Sequence, residues 1–565
     1  MAAASRTRRP IVAGWAEMQE PEVPAQDQYD VVISGYGPTG LAAASLLSRR
    51  GHRVCVFERW PSLYGQPRMA TIDGESAGII QAASDVDAAL RNSLPRRRYL
   101  FANDAGEILI ENRWDKDHVC GFPFRISLHQ PDMEDAMDRA ARERGAEINQ
   151  GWEVLSVEQT GEFATVTARE RILQHDGGST GGRERAVRAK YVIGADGARS
   201  TIRDWLGIER EEWPFRNAWL TFDTARKREL PNILGLSPDG QVAVIFCAPE
   251  GRAHSIIPLG TGHIRFNLEV DPDAPHGDKL NNEFAYGFLK NVYGLTPDDV
   301  EVYRHAIYPF EGKLAKTWRI GRVFLAGDAA HLMTPFLGQG GCSALRDAIN
   351  LAWKLDLVLR GIARDTLLDT YEAERKPHVR VHIDGSDKIA AMAFVRDPAA
   401  AAARDVLYRK GHAPQLPAEP VLTQGILYRG RVRAEAPVGE LGPQGFIRYH
   451  GREGRFDDVA GWGFQLIGWR HDPAEHLTES QRDFFCRIGG VVVGIAEQAR
   501  DGLAADIGGA YERFFRRHGI HTMLMRPDFT IFGIASLPKE VSLLVDDLRD
   551  QLKMIAPNPY GSCFL

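Results

Sequence analysis

The stretch Gly35-Tyr36-Gly37-Pro38-Thr39-Gly40 follows an apolar run, Tyr29-Asp30-Val31-Val32-Ile33-Ser34, and precedes a helix-forming segment, Leu41 to Arg50. No other feature restricts the fold of this chain as much. A second strand, Arg53 to Phe57, ends at Glu58, with Arg59 beside it. Each part has a mechanical reason. Gly35 permits a tight turn, Gly37 lets a pyrophosphate approach the backbone, and Gly40 lets helix and strand pack closely. Pro38 and Thr39 open the helix whose start faces the anion. Glu58 stands where it can accept hydrogen bonds from a ribose. A purely structural glycine turn would leave the position of that acid unexplained. The pattern therefore predicts a dinucleotide site.

Two further strand-to-acid turns follow. Tyr191-Val192-Ile193-Gly194-Ala195-Asp196-Gly197 leads into Ser200 and Arg203. Val323-Phe324-Leu325-Ala326-Gly327-Asp328 leads to Pro335 and Gly338-Gln339-Gly340-Gly341-Cys342. Short apolar runs of this kind read as buried parallel strands, and open α/β sheets bind ligands at the carboxyl ends of such strands. The glycines of the second turn open an amphipathic helix, Ser343 to Leu359, whose start can face the anionic edge of a reduced flavin. Asp328 can accept hydrogen bonds from ribityl hydroxyls.

In this order and at these distances the three elements resemble the single-component FAD-dependent aromatic hydroxylases, the class A flavoprotein monooxygenases. The 3-(3-hydroxyphenyl)propionate hydroxylase and phenol hydroxylase-like group is the nearest. The subgroup is suggested by Asp347-Ala348-Ile349-Asn350-Leu351-Ala352-Trp353-Lys354-Leu355, by Leu368-Asp369-Thr370-Tyr371-Glu372-Ala373-Glu374-Arg375, and by Met525-Arg526-Pro527-Asp528. The resemblance covers about residues 28 to 555. It implies tightly held, non-covalent FAD, a transient NAD(P)H reductant, and insertion of one oxygen atom from O2 into a phenolic substrate through a flavin C4a-hydroperoxide. It adds Arg68, Gln130 and Val154 to the cofactor set. Cys342 stands where the family usually has Asn, which puts that side chain's contact with the flavin edge in question. The resemblance implies no metal.

Composition agrees with a globular enzyme. Of 565 residues 44% are hydrophobic and 25% charged, and the net charge of −6 gives no electrostatic case for nucleic acid. No apolar run is long enough to span a membrane. The six cysteines show no C-x-x-C or zinc spacing, which fits free thiols and a cytoplasmic location. Residues 1–27 read as a disordered extension, with a transit peptide as the alternative.

The expected fold is α/β (α+β overall), with three parts. A Rossmann-like FAD-binding domain takes 28–100, 126–205 and 305–390. An inserted antiparallel-sheet substrate domain takes 101–125 and 206–304. A helical linker, 391–421, leads to a thioredoxin-like domain, 422–565, without a C-x-x-C pair. The glycine cluster 177–182 reads as a hairpin tip. Phe464 to Trp469 reads as a buried strand with which Val491 to Ile495 and Thr530 to Ile534 could pair; Cys486 reads as core.

For the substrate pocket the candidates are His254, Phe246 and Phe222, with His263 as another possible proton acceptor. For each, packing in the sheet is the competing reading. His331 reads as a packed residue that fixes its loop. No catalytic base is assigned. A homo-oligomer stays open. So do an epoxidase, a Baeyer–Villiger monooxygenase, and a non-catalytic FAD-binding protein. A flavin halogenase is disfavoured, because W-x-W-x-I-P is missing.

Overall fold

The computed structural model describes residues 27–173, 179–230, 241–500 and 502–552. Their first layer is an eight-stranded sheet. Five of its strands run parallel side by side: Glu147–Gln150, Val54–Glu58, Gln28–Ser34, the end of Ser179–Gly194, and Val323–Leu325. Ser34 is level with Phe57 and Gly194, and Gly194 with Leu325. Parallel strands in register finish at the same edge. The residues that follow, Gly35, Glu58, Asp196 and Asp328, are therefore gathered there by topology alone. Val31, Val32 and Ile33 have no exposed surface, as expected of a strand with both faces covered.

The helix Pro38–Arg49 starts with proline at its first position, where the missing N–H costs nothing. Gly35 has φ +99°, a conformation that favours glycine. A Cβ on Gly40 would lie 2.1 Å from the Gly35 carbonyl oxygen, so glycine is what lets this helix enter so close to its strand. The helix Gly340–Leu359 packs against it.

The second layer is another eight-stranded sheet. From one edge its strands are His331–Leu332, Val300–Ala315, Arg210–Arg226, His263–Val270, His254–Pro258, Val242–Cys247, Arg98–Asn103 and Ile108–Arg113. One neighbouring pair, Val242–Cys247 with Arg98–Asn103, is parallel, so the sheet is mixed and not wholly antiparallel. Strands also cross the expected boundaries at 100/101 and 304/305. Helix Asn282–Tyr293 covers one face and buries Ala285, Leu289 and Tyr293 against Leu220, Phe222 and Phe266.

The third layer is a seven-stranded mixed sheet between residues 446 and 535. Gln465–Trp469 pairs with Val491–Ala496, as expected. Ile531–Ala535 instead pairs with Thr522–Met525, which lies between it and Gln465–Trp469. Two more readings need correction. Residues 179–182 belong to a strand, Gly181 facing Arg171, while 174–178 lie outside the described residues. Cys486 is half-buried and not a core residue, whereas Cys55, Cys120, Cys247 and Cys342 are free and buried. Residues 1–26 lie outside the described residues, so the reading of that extension stays an expectation.

A buried ion network joins this unit to the first layer. Glu374, on helix Thr370–Ala393, accepts from Arg526 at 2.7 Å, Lys354 at 2.8 Å and Asn350 at 2.8 Å. Asp528 accepts from Arg526 at 2.6 Å and from the Trp353 indole at 3.1 Å. Two cations face two carboxylates, so the charges balance. Burial pulls Lys354 down to about 8 even though Glu374 opposes the shift. Burial also works to raise Glu374, but Arg526 and Lys354 outweigh it, and the net shift is well downward. Its stabilisation is therefore present above the ordinary carboxylate range and lost as pH falls through its folded value. Glu374→Gln should cost about 3–5 kcal/mol at neutral pH by leaving Arg526 and Lys354 without full compensation. Denaturant unfolding is the check, and the gap from wild type should shrink in strong acid.

Candidate active site

One cavity of about 800 Å3 lies between the carboxyl edge of the first sheet and one face of the second. All three acid-ended turns open into it. Gly35, Gly37, Pro38, Thr39, Glu58, Arg59, Arg68, Gln130, Val154, Asp196, Asp328, Pro335, Gly338, Gln339, Gly340 and Gly341 line it. A Cβ on Gly37 would meet nothing within 4 Å. That glycine is not needed for internal packing, and it leaves the turn bare towards the cavity.

Glu58 is oriented by its own strand end. Its carboxylate accepts from the Tyr36 N–H at 2.7 Å and the Trp60 N–H at 2.9 Å. Asp196 accepts from the Ile202 N–H at 3.1 Å, while its Oδ1 is buried with no partner. Burial raises the Asp196 carboxyl, although nearby N–H groups oppose the shift. Burial likewise raises Asp328, against His331 and Arg68. The Asp328 side chain is open to the cavity, yet protein surrounds it on most sides. Asp196 thus keeps a buried oxygen without a donor, and Asp328 keeps its oxygens turned to the cavity, as expected where a hydroxyl-rich ligand supplies donors.

The turn carrying Asp328 is held from behind. Asp347 accepts from the Gly327 N–H at 3.0 Å, from His331 at 2.7 Å and from Arg375 at 2.9 Å. Burial pushes the Asp347 carboxyl up, but His331, Arg375 and the Gly327 N–H prevail and its net shift is downward. His331 also stacks on Trp318 at 5.4 Å, the packing role expected of it.

The backbone around Arg68 is well tethered. Gln130 Oε1 accepts from the N–H groups of Arg68 at 2.6 Å and Met69 at 2.8 Å. The Pro67 carbonyl accepts from Arg265 at 2.5 Å and Arg304 at 2.9 Å, and both arginines pair with the buried Asp223. The Arg68 guanidinium lies 3.8 Å above the Tyr64 ring.

Six expected residues do not line the cavity, among them His263, whose ring packs against His129 and Tyr303. Gly40 is used in helix packing. Cys342 points into the protein, its thiol 3.3 Å from the Gly338 carbonyl. Phe222 and Phe246 lie on the opposite face of the second sheet, in the cluster under helix Asn282–Tyr293. His254 stacks on Phe246 at 4.5 Å on that same side. The cavity face is formed by their neighbours of opposite parity, Trp219, Thr221, Ile245, Ser255, Ile257 and Asn267. Side chains alternate across a strand, so a one-residue error exchanges the two faces. The usual guide, apolar inside and polar outside, fails because both faces are buried.

On the cavity face Thr221 donates to Asn267 Oδ1 at 2.8 Å, and Asn267 donates to Ser255 Oγ at 2.7 Å. Tyr99, Trp114, Tyr308 and Phe336 surround this polar row with rings, and Leu416 to Glu419 add a strap from a later segment. Arg96 also reaches the cavity. It bonds Ser127, Thr71 and the carbonyls of Ala70 and Pro258, all neutral, and burial pulls it down to about 10. No motif marks any of these residues in the sequence.

Comparison with known proteins agrees with this geometry. Residues 28–386 match the FAD binding domain family, and 439–551 match the HcaD C-terminal domain. A probable NADH-specific resorcinol 4-hydroxylase of Rhodococcus jostii is 33% identical over 94% of this chain and 96% of its own. A 3-(3-hydroxy-phenyl)propionate/3-hydroxycinnamic acid hydroxylase of Mycolicibacterium smegmatis is 31% identical over 91% and 92%. Among solved structures, aklavinone-11 hydroxylase with FAD and aklavinone is similar with TM-score 0.71 and 25% identity over 93% of this chain and 99% of its own. The flavin-dependent monooxygenase PieE, at 21% identity over 93% and 99%, shares the fold with TM-score 0.76. No described helix is long and apolar enough to cross a membrane. From three converging nucleotide turns and relatives that span nearly its whole length, the chain belongs to the FAD-dependent aromatic hydroxylases, the class A flavoprotein monooxygenases.

Proposed function

We propose that this hydroxylase acts on a small neutral phenol of the resorcinol type, with NADH as reductant, in the cytoplasm. The Thr221–Asn267–Ser255 row carries the reading. It is uncharged, faces the cavity, and is hemmed by aromatic rings. Thr221 Oγ1, already donating to Asn267, keeps acceptor capacity for a phenolic O–H. Ser255, already accepting, keeps its own O–H to donate to a second ring oxygen. The arginines Arg265 and Arg304 on the same wall share the buried Asp223 carboxylate, which leaves one positive charge between them, and their N–H groups are engaged by it and by the Pro67 carbonyl. A substrate carboxylate would compete with that pair.

FAD, when bound, supplies hydride acceptance and dioxygen activation. The protein's part is binding, orientation and exclusion of water. Glu58 takes the ribose; the turn from Gly35 to Gly40 takes the pyrophosphate. Asp196 and Asp328 take polar groups of the ribityl-pyrophosphate stretch. The loop from Pro335 to Gly341 borders the ring. Residues of the first layer form the FAD-binding domain and those of the second the substrate domain. The C-terminal unit has a packing role.

A second reading rests on Arg96, a buried cation whose hydrogen-bond partners are all neutral. It favours an acidic substrate such as an aryl propionate. Stopped-flow reduction with NADH, in the presence of resorcinol or 3-(3-hydroxyphenyl)propionate, separates the two. Resorcinol should accelerate flavin reduction the more, with hydroxylated product located by NMR; the reverse order would favour the acid. Thr221→Val should raise KM for the phenol about 10-fold, the worth of one hydrogen bond of about 1.4 kcal/mol. An unchanged KM would remove Thr221 from substrate recognition.

For the cofactor contacts, Asp328→Ala should purify folded but largely free of flavin, read from the ratio of flavin to protein absorbance. Glu58→Ala should weaken FAD affinity by about 10-fold or more while melting temperature at saturating FAD stays near wild type. Unaltered affinity would remove the ribose contact.

A further inference from the structure

We propose that His471, His476 and His521 bind one divalent transition-metal ion of the zinc type in the C-terminal unit. One ring nitrogen from each lies within 4.8 Å of the others, and all three rings are half-buried. None lines the cavity described above. The site occupies the carboxyl end of strand Gln465–Trp469, where the chain carries no C-x-x-C pair. The rings arrive from three directions. His471 follows the strand, His476 ends the short turn Pro473–His476, and His521 immediately precedes the antiparallel neighbour Thr522–Met525. Positions 471, 476 and 521 form no short motif, which is why spacing of residues gave no hint of a metal.

The surroundings suit imidazole ligands. His471 Nδ1 lies 3.1 Å from the Trp469 carbonyl oxygen, an acceptor that fixes the proton on Nδ1 and leaves the Nε2 lone pair available. Thr522 Oγ1 lies 3.1 Å from both His471 Nε2 and His521 Nδ1. Its oxygen can accept from His521 Nδ1, which leaves His521 Nε2 with a lone pair as well, and an ion at His471 Nε2 would take the place of the hydroxyl contact there. His476 makes only ring contacts, at 5.4 Å to His471 and 5.9 Å to His521. Among the described residues no carboxylate stands within ion-pair distance of the three rings.

Local backbone choices keep His471 in place. Arg470 has φ +65°, a left-handed conformation uncommon outside glycine. A Cβ on Gly468 would sit 2.8 Å from His471 Nε2, so the ring folds back over a bare backbone position. His471 and His521 stack at 3.6 Å. Around a tetrahedral ion with metal–nitrogen bonds of about 2.0–2.1 Å, ligand nitrogens stand roughly 3.3 Å apart. Side-chain rotation of half-exposed rings closes the difference, with no strand displaced. Three nitrogens leave the fourth position to water. An ion held there would tie the strand end, the turn and the neighbouring strand together.

The test uses full-length holoprotein without an affinity tag, stripped with a chelator and dialysed against Zn2+. Elemental analysis should find one Zn2+ per chain, with a metal-dependent rise in melting temperature and unchanged flavin content. His476→Ala removes a ring without hydrogen bonds, so it is the variant least able to disturb folding; it should abolish stoichiometric uptake. Thr522→Val should weaken affinity about 10-fold, the usual loss for an orienting partner. His450→Ala, at an exposed histidine elsewhere, should change nothing. The site is rejected if wild type takes up no stoichiometric Zn2+, or if His476→Ala takes it up as well as wild type does.

Discussion

The buried carboxylate of Asp347 is the interaction on which the site depends. It takes a backbone N–H from Gly327, an imidazole from His331 and a guanidinium from Arg375. A carboxylate removed from water must be repaid by such donors, because leaving it unpaired is costly. Satisfying Asp347 fixes the turn at Gly327, and Asp328 is then held at the cavity edge without spending its own oxygens on the protein. The adjacent residue of helix Thr370–Ala393, Glu374, faces another way and holds Arg526 of the C-terminal unit. Two neighbouring side chains on one helical turn thus couple the cofactor edge to the third layer.

The substrate wall follows a different logic. It is one face of a sheet whose other face is also buried, under helix Asn282–Tyr293. A wall supported in this way can carry a polar row, Thr221, Asn267 and Ser255, because each member is satisfied by the next. The rings of Trp219, Tyr99 and Phe336 keep water away from that row, and Tyr99 is pinned by its bond to the Phe336 carbonyl at 3.0 Å. Segment 64–69 closes the same space from the cofactor side and is tethered by Gln130, Arg265 and Arg304. Cofactor edge and substrate wall are thereby joined by side-chain groups that bond directly to the backbone of the segment.

Much of the cofactor edge was legible in the sequence, because its signals are local. A glycine turn, an apolar strand and an acid lie within a few residues of each other, and each has a steric or hydrogen-bonding reason to be there. Gly40 serves the close packing of helix on strand that its spacing implies, although it does not reach the cavity. Cys342 was placed in the right loop, but its side chain turns inward to the Gly338 carbonyl. The substrate wall was hidden for a stated reason. Phe222 and Thr221 are adjacent, both buried, and opposite in direction, so hydropathy cannot tell which meets the ligand. Arg96 and the three histidines of the C-terminal unit were silent too, since their meaning comes from partners far away in the chain.

By itself, then, the sequence determined the α/β class, the three acid-ended turns and the FAD-dependent family, because short-range patterns of glycine, apolar residues and acids suffice for these. Tertiary structure alone decided which face of the second sheet meets the cavity, which charges are neutralised, and which histidines gather at one strand end. Those outcomes depend on register and on contacts between distant segments, and a one-residue shift would reverse them without altering composition or local pattern.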